Sequence, residues 1–179
     1  MNITSVAQVL GNAGEFVGAI AVVVTLIYLA AQVRQNATQI KLNSAQIATE
    51  RYANMIAGIL RAPDRMRMFR DGLESFSTLS AERQAQFHSH LLEAIDVYEN
   101  SQRLADAGVL SAETVQEQKR DLARIFKCEG AREWRASIVL EPRNRSWLDA
   151  LVDDVLADRD AIPLTEQLPF MRRGDVHPG

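Results

Sequence analysis

The sequence predicts an all-α protein, a single N-terminal transmembrane helix continuing into a cytoplasmic helical bundle. Three observations predict it. Residues 16–33, FVGAIAVVVTLIYLAAQV, carry no formal charge between Glu15 and Arg34. No Gly or Pro occurs between Gly18 and Gly58, so nothing breaks a helix leaving that stretch. The remaining chain repeats apolar residues at steps of three and four, punctuated by Ser caps, Gly stops and Pro starts.

As a helix rising about 1.5 Å per residue, residues 16–33 extend roughly 27 Å, close to the hydrocarbon thickness of a bilayer. Phe, Val, Ile and Leu dominate the stretch. Each favours insertion by about 0.3 to 0.6 kcal/mol. Thr25 can bond a carbonyl one turn back, and Tyr28 and Gln32 lie toward one end. A cleaved signal peptide needs a basic leading region. Here residues 1–15 contain no Lys or Arg and include Glu15. A buried helix of a soluble protein is usually shorter and interrupted by polar residues.

All 20 Lys and Arg lie after Val33. The positive-inside rule then puts the N-terminus outside and the C-terminal domain in the cytoplasm. Tyr28, Arg34 and Lys41 are the expected membrane-interface residues. Gly14 and Gly18 form a GxxxG, with Gly11 one turn earlier, and small residues let helices approach closely in lipid. These three glycines are the candidates for a helix–helix contact in the membrane. Residues 1–15 read as a short external or interfacial N-terminus, loosened at Gly11, Asn12 and Gly14.

Composition narrows the class. Net charge is −3, from 20 basic and 23 acidic residues, which offers no global attraction for nucleic acid. The single Cys128 cannot close an internal disulfide, in keeping with a reducing cytoplasm. Residues 34–159 form one helical domain of ordinary size.

Beyond the span the first helix should reach about Leu60. Gln32, Gln35, Gln39, Asn43, Gln46 and Glu50 make one stripe of it. Val33, Ala37, Ile40, Ile47, Ala48, Met55 and Ile59 make the opposite one, expected to pack on later helices.

Within this region LIYLAAQVRQN, Leu26 to Asn36, resembles a motif of a widespread set of small, uncharacterised bacterial membrane-anchored proteins. They read as an apolar span followed by LIYLA-x-Q-[IV]-R-Q-N and a helical body. The body has a Pro-initiated helix, a turn and a Gly-x-x-x-Trp segment. Pro63 to Gly72, Leu79 to Arg83, and Gly130 to Trp134 followed by Trp147 look similar. The resemblance implies an anchor plus helices at the bacterial inner membrane. It implies no activity and no cofactor.

Pro63 ends the first helix and opens the next, which should stop with Gly72 as its C′ residue. Arg61, Arg65, Arg67 and Arg70 cluster there, a candidate contact for anionic lipid or a partner. A straight helix from Arg34 would put them roughly 40 Å from the bilayer, so lipid contact would need the body to fold back. Ser80 should cap a helix from Ala81 to about Ala107, stopped by Gly108, and Ser111 should cap the next. Together they form an antiparallel hairpin. Gly130 separates that hairpin from a short helix turning Trp134, Ile138 and Val139 inward. Pro142 breaks that helix. A last amphipathic helix, residues 144–157, should bury Trp147, Leu148, Leu151, Val152, Val155 and Leu156. Residues 160–179, with Pro163, Pro169 and Pro178, read as an extended or disordered tail.

No catalytic motif is present: no GxSxG, P-loop, strand-linked GxGxxG or CxxC. His88, His90, Glu93, Asp96 and Glu99 concentrate on one helix. His88 and His90 are two apart and point away from each other, so they make no metal site. Cys128 follows Lys127 but has no base assigned to it. No catalytic, cofactor-binding or metal residue is therefore expected. The expected function is a non-enzymatic adaptor, scaffold or accessory subunit. Its partners would be the bilayer and a protein or a second copy, with no nucleic acid or known small molecule. The alternative is a ligand-sensing regulatory module. An enclosed pocket among the helices would favour the sensor; an exposed apolar patch beyond the membrane band would favour the adaptor.

Overall fold

A computed structural model describes residues 3–168, with side chains described from residue 14 onward. Among the described residues there are seven helices and no strand. Contacts divide the chain into residues 1–44 and residues 45–179.

The first unit lies on α1, Ile3–Leu60. No break occurs at Gly11–Gly14, where a loosened interfacial turn was expected. Glycine costs a helix about 1 kcal/mol relative to Ala but does not remove a backbone donor, so the ladder continues. The apolar window of α1 is long enough to cross a membrane, and none of it is buried by the protein. Thr25 Oγ1 donates to the Ala21 carbonyl oxygen at 2.8 Å, which satisfies the hydroxyl within the helix itself.

The second unit begins with the last turns of α1. Ala48 is buried there, and Met55 and Ile59 pack on the core. Val33, Ile40 and Ile47 remain 56–67% exposed, so the expected apolar stripe is covered only at its C-terminal end.

α2, Pro63–Glu74, starts with Pro at its first turn, where a missing N–H costs nothing. Gly72 is not its C′ residue. It is buried inside the helix, and a Cβ there would lie 2.7 Å from Phe87 Cε2. α3, Ala81–Asp106, is capped by Ser80, whose hydroxyl accepts from the Arg83 N–H. It ends before Gly108, whose φ of 66° is the left-handed geometry that glycine supplies freely. Ser111 caps α4, Ala112–Phe126, accepting from Thr114 N–H at 3.2 Å. α3 and α4 pack together as the expected hairpin.

α5, Glu129–Ser137, contains Gly130 rather than following it. Gly130 is buried against the backbone of α2, so both glycines serve close helix approach. Trp134 is fully buried, and its indole N–H donates to His88 Nδ1 at 3.0 Å. Val139 lies past the end of α5 and is 96% exposed, not inward. α6, Pro142–Leu156, begins at Pro142, which opens this helix rather than breaking the last, because α5 has already stopped at Ser137. Leu148, Val152 and Val155 bury, while Trp147 stays 41% exposed with its N–H on Glu99 Oε1 at 2.7 Å. A polar partner at the rim holds the indole where an apolar stripe alone would have taken it inside.

The start of the expected tail is structured. Ala161 is buried, and α7, Leu164–Gln167, packs on α2 and α4. The Lys127 ammonium donates to the carbonyls of Asp158 and Ala161, gathering backbone acceptors that no helix uses. Residues 169–179 lie outside the described residues.

Glu133 ties α5 to the loop before α3. Its carboxylate accepts from Ser77 N–H at 2.8 Å and from Ser75 Oγ at 3.2 Å. The Ser77 backbone bond holds its carboxyl below the ordinary Glu range, against a smaller opposing effect of burial. Stability from this group is therefore complete above the ordinary Glu range and lost as pH falls through the lowered folded value. Glu133→Gln should cost about 1 kcal/mol at pH 7 and flatten the acid limb of a stability–pH profile measured by urea unfolding. An unchanged acid limb would remove Glu133 from that role.

Candidate functional site

The body carries a partly open apolar cleft of about 340 Å³, built on four helices and the end of α7. Its walls follow helical spacing. Tyr52, Met55, Ile56 and Ile59 are one stripe of α1, and His90, Leu91, Ala94 and Tyr98 one stripe of α3. Gln118, Asp121, Leu122 and Ile125 are the matching stripe of α4. Met66 and Phe69 close one end from α2, and Leu164 and Leu168 close another. The volume falls in the lower part of the range for small-molecule sites, about 300–1,000 Å³.

Polar groups are few and placed. The Tyr52 hydroxyl donates to Asp121 Oδ2, and Arg124 Nη1 donates to Asp121 Oδ1 at 2.6 Å. That carboxylate and that guanidinium neutralise each other. His90 Nδ1 lies 3.7 Å from Glu93 Oε2, beyond hydrogen-bond reach. Burial moves the His90 imidazole below its ordinary pKa, with Glu93 opposing, so it is neutral at pH 7. Buried polar side-chain atoms without a partner include His90 Nδ1, Gln118 Oε1 and Arg124 Nε, all on cleft residues. Gln118 is only 5% exposed. An apolar cleft holding unmatched polar atoms can accept an apolar molecule that brings a hydrogen-bonding group of its own.

The side chains weighed for chemistry do not converge. His88 accepts from Trp134, while His90 faces the cleft. Asp96 pairs with Arg51 at 3.9 Å, and Arg103 with Glu99 at 3.4 Å. Cys128 is buried, with its Sγ 3.3 Å from the Arg124 carbonyl oxygen, a weak thiol donation. Among the described residues no group of three or more His, Cys, Asp or Glu is placed to hold a metal.

The sequence-predicted contact residues fall elsewhere. Gly14 and Gly18 lie on α1 with open space where a Cβ would stand. The surroundings of Gly11 lie outside the described side chains. Tyr28, Arg34 and Lys41 are exposed on α1. In the arginine cluster Arg67 bonds Asp64 and Arg70 bonds Asp71, while Arg61 and Arg65 are exposed. The cluster is thus half neutralised by its own helix.

Reading the sequence found the stripes but not the cleft. Met55, Ile59, Leu91, Leu122 and Ile125 all had the spacing of core residues. What no spacing discloses is that these faces meet without filling the space between them. Gln118, set between the apolar Val115 and Leu122 at helical spacing, was the one signal available. No protein-family model, curated protein or solved structure matches the chain.

Proposed function

We propose that this chain is a non-enzymatic, single-pass protein of the bacterial inner membrane, with its N-terminus outside and its helical body in the cytoplasm. There the body takes up a small ligand as a sensing or regulatory module. The cleft carries this reading. One of its walls is the C-terminal part of α1, the same helix that holds the membrane-length apolar stretch. A ligand that prefers one arrangement of Tyr52–Ile59 against α3 and α4 would shift the population of that helix. The basic residues after Val33 and the resemblance of the Leu26–Asn36 motif support the placement.

The adaptor reading has its own supporting observation. Ile40, Leu42 and Ile47, beyond the apolar span, are 56–67% exposed. A protein partner or second copy covering them is the second proposal.

One experiment separates the two. The full chain, recovered from the membrane pellet and placed in lipid nanodiscs, is equilibrated with a bacterial small-molecule extract and washed. Retained compounds are identified by mass spectrometry beside an Ile125→Trp variant, whose indole fills the cleft. The expected result is a near-stoichiometric compound held by the natural chain and lost from the variant. Identical retention by both would overturn the sensor reading. Recovery of the chain from the supernatant after ultracentrifugation would overturn the membrane placement.

A further inference from the structure

The cleft's chemistry narrows its ligand, an inference that rests on the sensor reading above. We propose that the cleft takes an uncharged amphiphile, an apolar chain or ring bearing a hydroxyl or amide that hydrogen-bonds to Gln118.

Charge excludes the two obvious alternatives. An anionic headgroup needs a free cation, and Arg124, the one Lys or Arg among the cleft's lining residues, already holds Asp121 at 2.6 Å. A cationic ligand needs a free carboxylate, and Asp121 is engaged on both oxygens, by Tyr52 and by Arg124. Burying either ion without a partner costs several kcal/mol, about what a ligand of this size gains from its apolar surface. The neutral His90 contributes a dipole and no charge.

Polarity excludes the third alternative. A pure hydrocarbon would leave Gln118 Oε1 unpaired in a dry cleft, at about 1–3 kcal/mol. Gln118 sits on the buried stripe of α4, between Val115 and Leu122, both core residues. Leu would fill that position at lower cost. A hydroxyl suits it well, because it donates to the amide oxygen. The apolar remainder then lies along Met55, Ile59 and Ile125, which pack on the core without being buried by it.

The probes are decan-1-ol, decanoate and 1-chlorodecane, added to the full chain in nanodiscs at pH 7.5. The chain carries 5 methionines, and Met55 and Met66 line the cleft. Their ¹³C-methyl NMR signals therefore report occupancy of this site rather than partition into lipid. Decan-1-ol should shift both signals saturably, at least tenfold more tightly than decanoate. Gln118→Leu should lose about tenfold for decan-1-ol and nothing for 1-chlorodecane. Tighter binding of decanoate or of 1-chlorodecane to the natural chain would overturn the neutral-amphiphile class while leaving the cleft a ligand site. If no probe moved Met55 or Met66, both this inference and the sensor reading would fall.

Discussion

Gly130→Ala should destabilise the body by about 3 kcal/mol, the upper end of what added volume costs in a packed interior. The added Cβ would overlap the Gly72 carbonyl oxygen and lie 2.9 and 3.0 Å from the carbonyl carbons of Gly72 and Leu73. Those are backbone atoms of α2, so no rotamer change relieves the contact. α2 and α5 would have to part, and both are tied to the core by fully buried side chains, Leu73 and Trp134. The measurement is urea unfolding of the full chain in nanodiscs, followed by tryptophan fluorescence. Both tryptophans, Trp134 and Trp147, belong to the body, so the signal ignores the apolar stretch of α1. Gly108→Ala is the matched control. Its Cβ meets open space, and only the positive φ resists it, at about 1 kcal/mol. A Gly130→Ala loss no larger than the Gly108→Ala loss would mean that the two helices are not in backbone contact.

Trp134→Ala should cost about 3–5 kcal/mol, the usual range for emptying a buried aromatic site. The indole is fully buried, 6.1 Å from the Phe126 ring and 5.8 Å from the His88 ring, centroid to centroid. Its loss leaves a cavity where α5 meets α3 and removes the donor that His88 Nδ1 accepts from. Trp134→Phe keeps much of the apolar contact and drops the hydrogen bond, so it should cost clearly less. Trp147 remains as the fluorescent reporter in both variants. It sits on α6 with its N–H on Glu99, away from the substituted position. Equal losses for the two variants would show that the hydrogen bond, not the packing, holds this junction. A loss under about 1 kcal/mol for Trp134→Ala would place the indole outside the core.

The two glycines show where sequence reading stops. A glycine after a run of helical residues signals a stop or a close approach, and the local chain is the same in both cases. Gly108 is a stop, because its φ is positive. Gly72 and Gly130 are approaches: a Cβ on Gly72 would run into the Phe87 ring of α3, and one on Gly130 into the backbone of α2. Only the neighbour's position decides. The same limit governs Val139 and Trp147, whose spacing suited burial. The helix ended before one, and a carboxylate held the other at the rim. Lys127 shows it again, because its carbonyl partners lie 31 and 34 residues downstream.

The sequence by itself determined the helical class, the caps at Ser80 and Ser111, the starts at Pro63 and the stop at Gly108. It also determined the membrane-length apolar stretch before the basic residues. Each of these depends on residues within a turn or two, where propensity, capping and hydrophobic period act. Tertiary structure alone decided that α2 and α5 touch through glycine, that residues 158–168 join the body, and that the faces of α1, α3 and α4 leave a cleft around Gln118. Those outcomes depend on shapes and partners brought together from distant parts of the chain. Apolar periodicity says which face turns inward, but not whether the space it meets is full.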